Sequence, residues 1–272
     1  KFWILMKINL AFSSCPNDTF IFDALVNNKI DTEGIEFNPI IADIDKLNIW
    51  SSSHRYDITK LSYYAFTKCY EKYKLLNSGS ALGDGCGPIL IKRPETVLNS
   101  NSSIAIPGEL TTANLLLKIA YPSFINKTSV LFSEIEDLVY SGKFDAGLII
   151  HENRFTFQKK GLVKVKDLGD FWFNKTNLPI PLGGIAVSRK FSEQEQKKID
   201  RLILKSLKFS LTNKESASKY VKAHAQEMDT KVIQSHINLY VNDFSIDLGV
   251  RGRNAIIKVF EELHLDSNNI FV

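Results

Sequence analysis

The stretch Gly147-Leu148-Ile149-Ile150-His151-Glu152-Asn153-Arg154-Phe155 decides how the rest of this chain is interpreted. The apolar run from Ala146 to Ile150 predicts a buried strand. That strand delivers His151 to its end, which in open α/β sheets is where ligands bind. An imidazole has an intrinsic pKa near neutrality, so it can exchange a proton there. A structural histidine bonded to a backbone carbonyl is the alternative that this stretch alone leaves open.

The composition excludes several classes of protein. The 272 residues carry a net charge of +4, and the lysines are spread along the chain, so no nucleic-acid partner is expected. No apolar run approaches the ~18 residues of a membrane span, so membrane insertion is not expected either. Cys15, Cys69 and Cys86 are odd in number and lack metal-ligand spacing, which favours reduced thiols in the cytoplasm. Residues 1–5 lack the cleavage site of a signal peptide and are interpreted as an extension before Met6.

The first strand predicted from the sequence, Lys7 to Phe12, leads into a loop and then a helix. We expect Asn17 or Asp18 to be the helix N-cap, with Pro16 fixing the entry. Free N–H groups and small hydroxyls of this loop, including those of Ser13 and Asn17, could hold an anion or a carbonyl oxygen. A capped helix without a ligand explains the same residues equally well.

After a second strand–helix unit, a short strand from Tyr56 ends in Lys60-Leu61-Ser62 before another helix, and Lys60 there either holds ligand oxygens or is solvated. Further along, Thr111 and Thr112 stand at the start of a predicted helix. Their hydroxyls and the positive end of the helix dipole form a suitable seat for a carboxylate, although Thr111 could be only an N-cap. Ser133 to Glu136 predicts a capping box. The alternation of strands and helices indicates α/β architecture with a parallel sheet.

Gly- and Pro-rich segments near residues 92 and 182 predict two crossings between lobes. We therefore expect a discontinuous large α/β lobe, residues 1–92 plus 183–272, and a small α/β lobe, residues 93–182. Two lobes joined by two crossings place a ligand cleft between them. From Ser192 onward the pattern is helical, with breaks near Asn213, Met228 and Gly249. The residues alone thus predict a small polar or anionic ligand beside His151.

Several motifs together resemble one known enzyme family, the 1,4-dihydroxy-6-naphthoate synthases of menaquinone biosynthesis by the futalosine pathway. They occur in the family's order and span nearly the whole chain: Ser13-Ser-Cys-Pro-Asn-Asp-Thr-Phe-Ile-Phe22, Thr59-Lys-Leu-Ser-Tyr63, Gly79-Ser-Ala-Leu-Gly83, Thr111-Thr112, Gly147-Leu-Ile-Ile-His-Glu152, Leu178-Pro-Ile-Pro-Leu-Gly183 and Asn242-Asp-Phe-Ser-Ile-Asp-Leu-Gly249.

The resemblance implies a fold like the type II periplasmic binding proteins, with the ligand held between the lobes. It also implies a lyase that splits cyclic dehypoxanthinyl futalosine, a small anionic aromatic substrate, into 1,4-dihydroxy-6-naphthoate and dihydroxyacetone. Carried over by motif, His151 is the proton acceptor, and Lys60-Leu61-Ser62 and Thr111-Thr112 contact the substrate. No metal and no organic cofactor is expected.

The chemistry of that reaction agrees with the residues. A neutral His151 can remove a proton, and groups of the Ser13–Asn17 loop and Ser62 can stabilise the enolate-like charge that develops. Glu152 either orients His151 or points away from it, and strand alternation favours the second arrangement. Arg154 could pair with a substrate carboxylate, a need that Thr111-Thr112 already covers.

Two rival functions are a non-catalytic solute-binding protein of the same fold and a chorismate dehydratase. The first predicts an exported protein, and the Gly147–Glu152 motif argues against the second. The C-terminal residues Phe244 and Ile270 to Val272 pack either on their own lobe or in a homodimer. The two glycine-bearing crossings suggest that the lobes close on binding.

Overall fold

The computed structural model describes residues 6–225 and 229–272 of the chain. The extension predicted before Met6 and the helix break predicted near Met228 lie outside these ranges. The described chain forms two β-sheets, each with helices packed against it.

The strands are, in chain order, β1 Met6–Phe12, β2 Ile35–Ile41, β3 Ile58–Ser62, β4 Tyr73–Leu75, β5 Ala81–Gly83, β6 Ile89–Lys92, β7 Ile104–Ile106, β8 Lys127–Ser129, β9 Ala146–Ile149, β10 Val163–Asp167 and β11 Ile180–Ser188. The α-helices are α1 Pro16–Val26, α2 Ile44–Ser52, α3 Tyr63–Phe66, α4 Thr112–Ala120, α5 Ile135–Tyr140, α6 Leu168–Thr176, α7 Glu193–Thr212, α8 Lys214–His224, α9 Thr230–Tyr240, α10 Asp243–Ile246 and α11 Gly249–Glu262. Short 3₁₀ helices cover Phe132–Glu134, His151–Phe155 and Phe157–Lys160.

The first sheet has the strand order β2-β1-β3-β11-β4, with β5 pairing to β11. Strands β1, β2 and β3 are parallel, as the strand–helix alternation predicts. Strand β11, which joins the first sheet after the chain has passed through the second, runs antiparallel to β3. It begins at Ile180, so most of the predicted return crossing is itself strand.

The second sheet has the order β10-β6-β9-β7-β8. Strand β6, Ile89–Lys92, pairs with β9 and β10 and therefore belongs to this sheet. The chain thus leaves the first sheet in residues 84–88, and a lobe boundary at residue 92 lies one strand too late. A four-residue apolar strand carries no sequence signal for the sheet it joins. The return falls between α6 and β11, slightly before the predicted 183.

Two predicted helix starts are wrong for local reasons. Helix α1 begins at Pro16 with Cys15 as its N-cap, so Asn17 and Asp18 lie inside the first turn. Proline suits the first helical position because its fixed φ and missing N–H cost nothing there. The capping box predicted at Ser133 does not form, because Ser133 lies within a 3₁₀ turn that runs directly into α5.

Helices pack against the sheets and bury the apolar side chains of the strands. Strand β1 carries Leu10 and Phe12 into a core with Phe22 of α1 and Leu202 of α7. The Phe12 and Phe22 rings lie 4.6 Å apart. Each such side chain contributes about 1.5–3 kcal/mol when fully buried. The core therefore fixes α1 against the end of β1.

The C-terminal helices complete the layer around the first sheet. Phe244 and Ile270 pack on the core of their own lobe, and Phe271 forms a parallel bridge with Leu75, the last residue of β4. Of the two arrangements predicted for these side chains, the structure shows the intramolecular one. Among residues 6–225 and 229–272, no helix is both long enough and apolar enough to cross a bilayer.

Candidate active site

A cavity lies between the two sheets, with an empty volume of about 650 Å³ that includes the space at its open mouth. Four strands have their C-terminal ends at this cavity: β1 and β3 of the first sheet and β7 and β9 of the second. Residues at these ends, or in the loops that follow them, form part of its wall. Its lining residues are Ser13, Asn17, Asp18, Ile44, Lys60, Ser62, Ala81, Pro88, Thr111, Thr112, Ala113, Ile150, His151, Leu182, Gly183 and Tyr240. The cavity is the cleft predicted between the lobes.

His151 stands at the first residue of a 3₁₀ helix that follows β9, with a backbone φ of +56°. This left-handed conformation costs a residue with a side chain roughly 1–2 kcal/mol. The ring is half-buried and is held by the Phe132 ring at 4.8 Å and by the Cys15 Sγ, 3.6 Å from Nε2. Strained backbone of this kind is concentrated at active sites, where the surrounding contacts maintain it.

The environment of His151 keeps its imidazole uncharged. Burial lowers the pKa of His151 to about 4, and the charge of Lys60 acts in the same direction. The carboxylate of Asp18 opposes both effects by favouring the imidazolium. At neutral pH the ring is therefore a proton acceptor, with a negative charge close enough to stabilise the proton it would receive.

Asp18 and Lys60 form a buried ion pair in the cavity wall. Lys60 Nζ lies 2.9 Å from Asp18 Oδ1, and the two side chains are 4% and 3% exposed. The ammonium also donates to the Gly79 carbonyl at 3.0 Å. Ser13 Oγ donates to Asp18 Oδ2 at 2.6 Å, which satisfies the second carboxylate oxygen. Lys60 is thus not solvated, and its third N–H hydrogen is left for a ligand.

Asn17 joins this ion pair to the C-terminal helices. Its Nδ2 donates to Asp18 Oδ1 at 2.9 Å, and its Oδ1 lies 2.9 Å from Nε2 of His236 on α9. The imidazole of His236 is wholly buried and lies 5.8 Å from that of His151, centroid to centroid. Two histidines that are 85 residues apart in sequence therefore meet at the cavity.

Ser62 and the two threonines differ in what they leave for a ligand. Ser62 Oγ accepts from Asn48 Nδ2 at 3.0 Å, so its own hydroxyl hydrogen remains for a ligand oxygen. Thr111 Oγ1 donates to the Gly108 carbonyl and caps α4. Thr112 Oγ1 donates to the Leu182 carbonyl. A carboxylate bound at the start of this helix would therefore be held by backbone N–H groups and the helix dipole rather than by the threonine hydroxyls.

Comparison with known proteins shows which family this chain belongs to. A family model described as menaquinone biosynthesis matches residues 8–264. The chain belongs to the menaquinone biosynthesis family. A relative from Thermus thermophilus named 1,4-dihydroxy-6-naphtoate synthase is 40% identical over 94% of this chain and 93% of its own length. A Streptomyces coelicolor relative with the same name is 38% identical over 92% of this chain and 90% of its own. The resemblance found in the sequence motifs is confirmed, and the chain is an enzyme of menaquinone biosynthesis.

Solved structures agree on the fold of this menaquinone biosynthesis protein. A crystal structure of an Archaeoglobus fulgidus protein superposes with a TM-score of 0.90 at 33% identity, covering 95% of this chain and 97% of that one. A Candida albicans protein described as having the generic periplasmic binding protein fold superposes with a TM-score of 0.68 at 12% identity, covering 98% and 93%. The predicted two-lobed, periplasmic-binding-protein-like α/β fold is confirmed.

Most of the residues predicted from the family resemblance and the loop chemistry do line the cavity. His151, Lys60 and Ser62 do, as do the Thr111-Thr112 pair and the loop residues Ser13 and Asn17. Leu61 does not. Its side chain lies on the opposite face of β3, wholly buried among core residues, because successive strand residues alternate in direction. The Leu61 side chain therefore cannot contact a ligand in the cavity.

Arg154 is occupied within the protein. It donates to the Gly87 carbonyl at 2.8 Å and to Asp167 at 3.4 Å, and it is hydrogen-bonded to Tyr240. It is absent from the residues that line the cavity, and these bonds tie the segment after His151 to Gly87 and Asp167. The side chain of Glu152 lies outside the described residues. Strand alternation does not apply to it, since Glu152 lies in a 3₁₀ helix.

The sequence alone does not indicate a role in the site for three residues of this protein. The local sequence around Asp18 indicates only an N-cap, and its ion pair with Lys60 requires the fold. Tyr240 and His236 lie on α9 in no recognised motif. Burial raises the pKa of Tyr240, so its phenol stays a hydrogen-bond donor. In the described parts of the chain no three His, Cys, Asp or Glu side chains are grouped to hold a metal ion.

Proposed function

We propose that this protein is a carbon–carbon lyase that converts cyclic dehypoxanthinyl futalosine into 1,4-dihydroxy-6-naphthoate and dihydroxyacetone, with His151 as the general base. The synthase names of two relatives, each matching about nine-tenths or more of both chains, support the reaction. The observation that carries the mechanism is the position of the His151 imidazole in the cavity wall, held by Cys15 and Phe132, where burial lowers its pKa.

The position of His151 fits proton removal from a bound substrate. A pKa of about 4 leaves the ring almost entirely unprotonated at neutral pH. An anionic substrate in the cavity raises that pKa, because a nearby negative charge favours the imidazolium. The base therefore becomes stronger when the substrate is present. A positioned general base contributes about 10²–10⁴-fold to the rate.

The charge that forms on the substrate after proton removal meets donors already fixed in the wall. Lys60 offers one remaining N–H, Ser62 its hydroxyl hydrogen, and Asn17 the second hydrogen of its amide. Each is fixed by a bond to another protein group, so little reorganisation is needed when an oxyanion develops. Formation of an aromatic product provides the driving force for the fragmentation.

The experiment that tests the reaction is a direct comparison of substrates. Purified protein is incubated with cyclic dehypoxanthinyl futalosine and, separately, with chorismate, and products are identified by mass spectrometry. We expect 1,4-dihydroxy-6-naphthoate and dihydroxyacetone in equal amounts from the first and no turnover of the second. Dehydration of chorismate would assign the sister activity instead. Binding of the futalosine derivative without turnover would indicate a solute-binding protein.

A further inference from the structure

His236 is a buried histidine that neither the sequence motifs nor the proposed reaction uses. It lies on α9, and none of its side chain is exposed. Its ring is stacked on that of His151, with centroids 5.8 Å apart and planes inclined by 22°. The Tyr240 ring lies 4.8 Å from it, centroid to centroid. A polar ring buried this deeply costs free energy unless it makes a specific hydrogen bond.

The direction of its hydrogen bond follows from its neighbours. Asp18 is an acceptor toward Lys60 and Ser13, so the Asn17 group facing it must be the amide nitrogen. The oxygen of the same amide then faces His236 Nε2 at 2.9 Å and must accept. His236 therefore carries a hydrogen on Nε2 and donates it. Burial and the neighbouring His151 lower the pKa of His236 well below its usual value, so it donates as a neutral ring.

The hydrogen bond from His236 affects the cavity because it fixes the orientation of the Asn17 amide. With one end of its amide held by His236 and the other by Asp18, Asn17 cannot rotate to present its oxygen to the cavity. Its second N–H hydrogen is thereby kept as a donor beside the substrate. The ring of His236 also supports one face of the His151 imidazole. Both effects position groups that touch the substrate, while His236 itself is absent from the cavity wall.

We propose that His236 is a positioning residue of the reaction, which through its Nε2–H fixes the Asn17 amide as a donor in the cavity. This inference rests on the proposed function for its kinetic consequence, although the hydrogen bond itself can be tested without turnover. The chemistry that benefits is stabilisation of an oxyanion on the substrate. Its loss should therefore reduce kcat more than it raises KM.

Two substitutions separate the hydrogen bond from the ring. In His236→Gln the amide Nε2 stands four bonds from Cα, as the imidazole Nε2 does, so the donor is kept and the ring is lost. In His236→Phe a ring is kept and the donor is lost. His224→Phe is the matched control, since His224 lies on neighbouring α8 and its ring contact is with Tyr220, away from the cavity.

The proposal predicts that His236→Phe lowers kcat roughly 10- to 100-fold with little change in KM, as small misplacements of reacting groups do. His236→Gln should stay within about fivefold of wild type, because one hydrogen bond replaces another of similar strength. His224→Phe should stay within about twofold. Equal losses in the Phe and Gln variants, or a normal kcat in the Phe variant, would overturn the proposal.

A readout without substrate keeps the proposal testable even where a variant fails to fold or the lyase activity is absent. Nitrogen-15 spectra of histidine-labelled wild-type protein should show one neutral Nε2–H imidazole whose hydrogen exchanges slowly. That signal is assigned by its absence in His236→Gln, and it should lose its protection in Asn17→Ala. A His236 that carries its hydrogen on Nδ1, or whose signal ignores the Asn17 substitution, would contradict the hydrogen bond directly.

Discussion

Lys60 Nζ and Asp18 Oδ1 are 2.9 Å apart, and only 4% of the Lys60 side chain and 3% of the Asp18 side chain are exposed to solvent. Removing two charges from water is costly, and their attraction repays that cost only when other polar groups complete the arrangement. Here Ser13, Asn17 and the Gly79 carbonyl do so. The pair thus combines structural and electrostatic roles, because the same two charges act in opposite directions on the pKa of His151.

The ion pair should show strong coupling in stability measurements. Asp18→Asn or Lys60→Met each leaves a buried charge without its partner, so each should lower the free energy of unfolding by about 3–5 kcal/mol. The double variant should lose much less than the sum, since no uncompensated charge remains. Urea unfolding of the four proteins measures the coupling.

An exposed ion pair provides the matched control. Arg251 and Asp84 are 2.8 Å apart, with side chains 48% and 50% exposed. Arg251→Met should therefore cost only about 0–1 kcal/mol. Additive losses for Asp18 and Lys60, or a loss at Arg251 as large as theirs, would show that the cavity pair does not behave as a buried one.

The two cavity serines should differ in kinetics. Ser62→Ala removes a hydroxyl whose hydrogen is available to the substrate and should reduce kcat/KM about 10- to 100-fold, as loss of a bond to a charged group does. Ser13→Ala removes a donor to Asp18 and should act through the ion pair, lowering thermal stability as well as activity. Steady-state kinetics and melting temperatures of both variants test this. Equal kinetic losses with equal stability would contradict the distinction.

The depressed pKa of His151 makes stability depend on pH with a definite sign. As pH falls below about 6.5 the unfolded state takes up a proton at this residue, while the folded state does so only near 4. The unfolded state therefore binds more protons in that window, and the contribution of His151 to stability falls as pH falls. His151→Asn lacks this contribution.

The measurement compares unfolding free energies of wild type and His151→Asn at pH 7 and pH 4. Between these values wild type should lose about 3 kcal/mol more than the variant, from 1.36 kcal/mol per pKa unit. His236 adds a loss of the same sign to both proteins, which cancels in the comparison except for the part of its lowered pKa that comes from His151. A difference that does not change with pH would show that the pKa of His151 is close to its ordinary value.

Features of local sequence were predictable. The apolar run before His151 predicts the strand, and β9 ends at Ile149, one residue before the predicted end at Ile150. The polar residues of the loop after β1 and those that end β3 likewise predict contacts with the oxygens of a ligand. Parallel strands that end in polar residues bring those residues to one edge of a sheet. Family resemblance then named the chemistry.

Features that depend on distant packing were not predictable. His236 is separated from Asn17 by 219 residues and lies in a helix without a motif, so only the folded chain shows their hydrogen bond. The burial of Lys60 depends on Asp18, which lies inside the first turn of α1 because the helix begins at Pro16, earlier than the capping pattern predicts. Which sheet β6 joins is likewise decided by pairing partners far away in the chain.

The central claim, that His151 removes the proton, is tested most directly by single-turnover kinetics of His151→Asn with cyclic dehypoxanthinyl futalosine. Asparagine tolerates the left-handed backbone that His151 adopts, so the variant should fold and bind substrate as wild type does. Product formation should fall by about 10²–10⁴-fold while calorimetric affinity for the substrate is retained. Turnover at a near-normal rate in this variant would contradict the account.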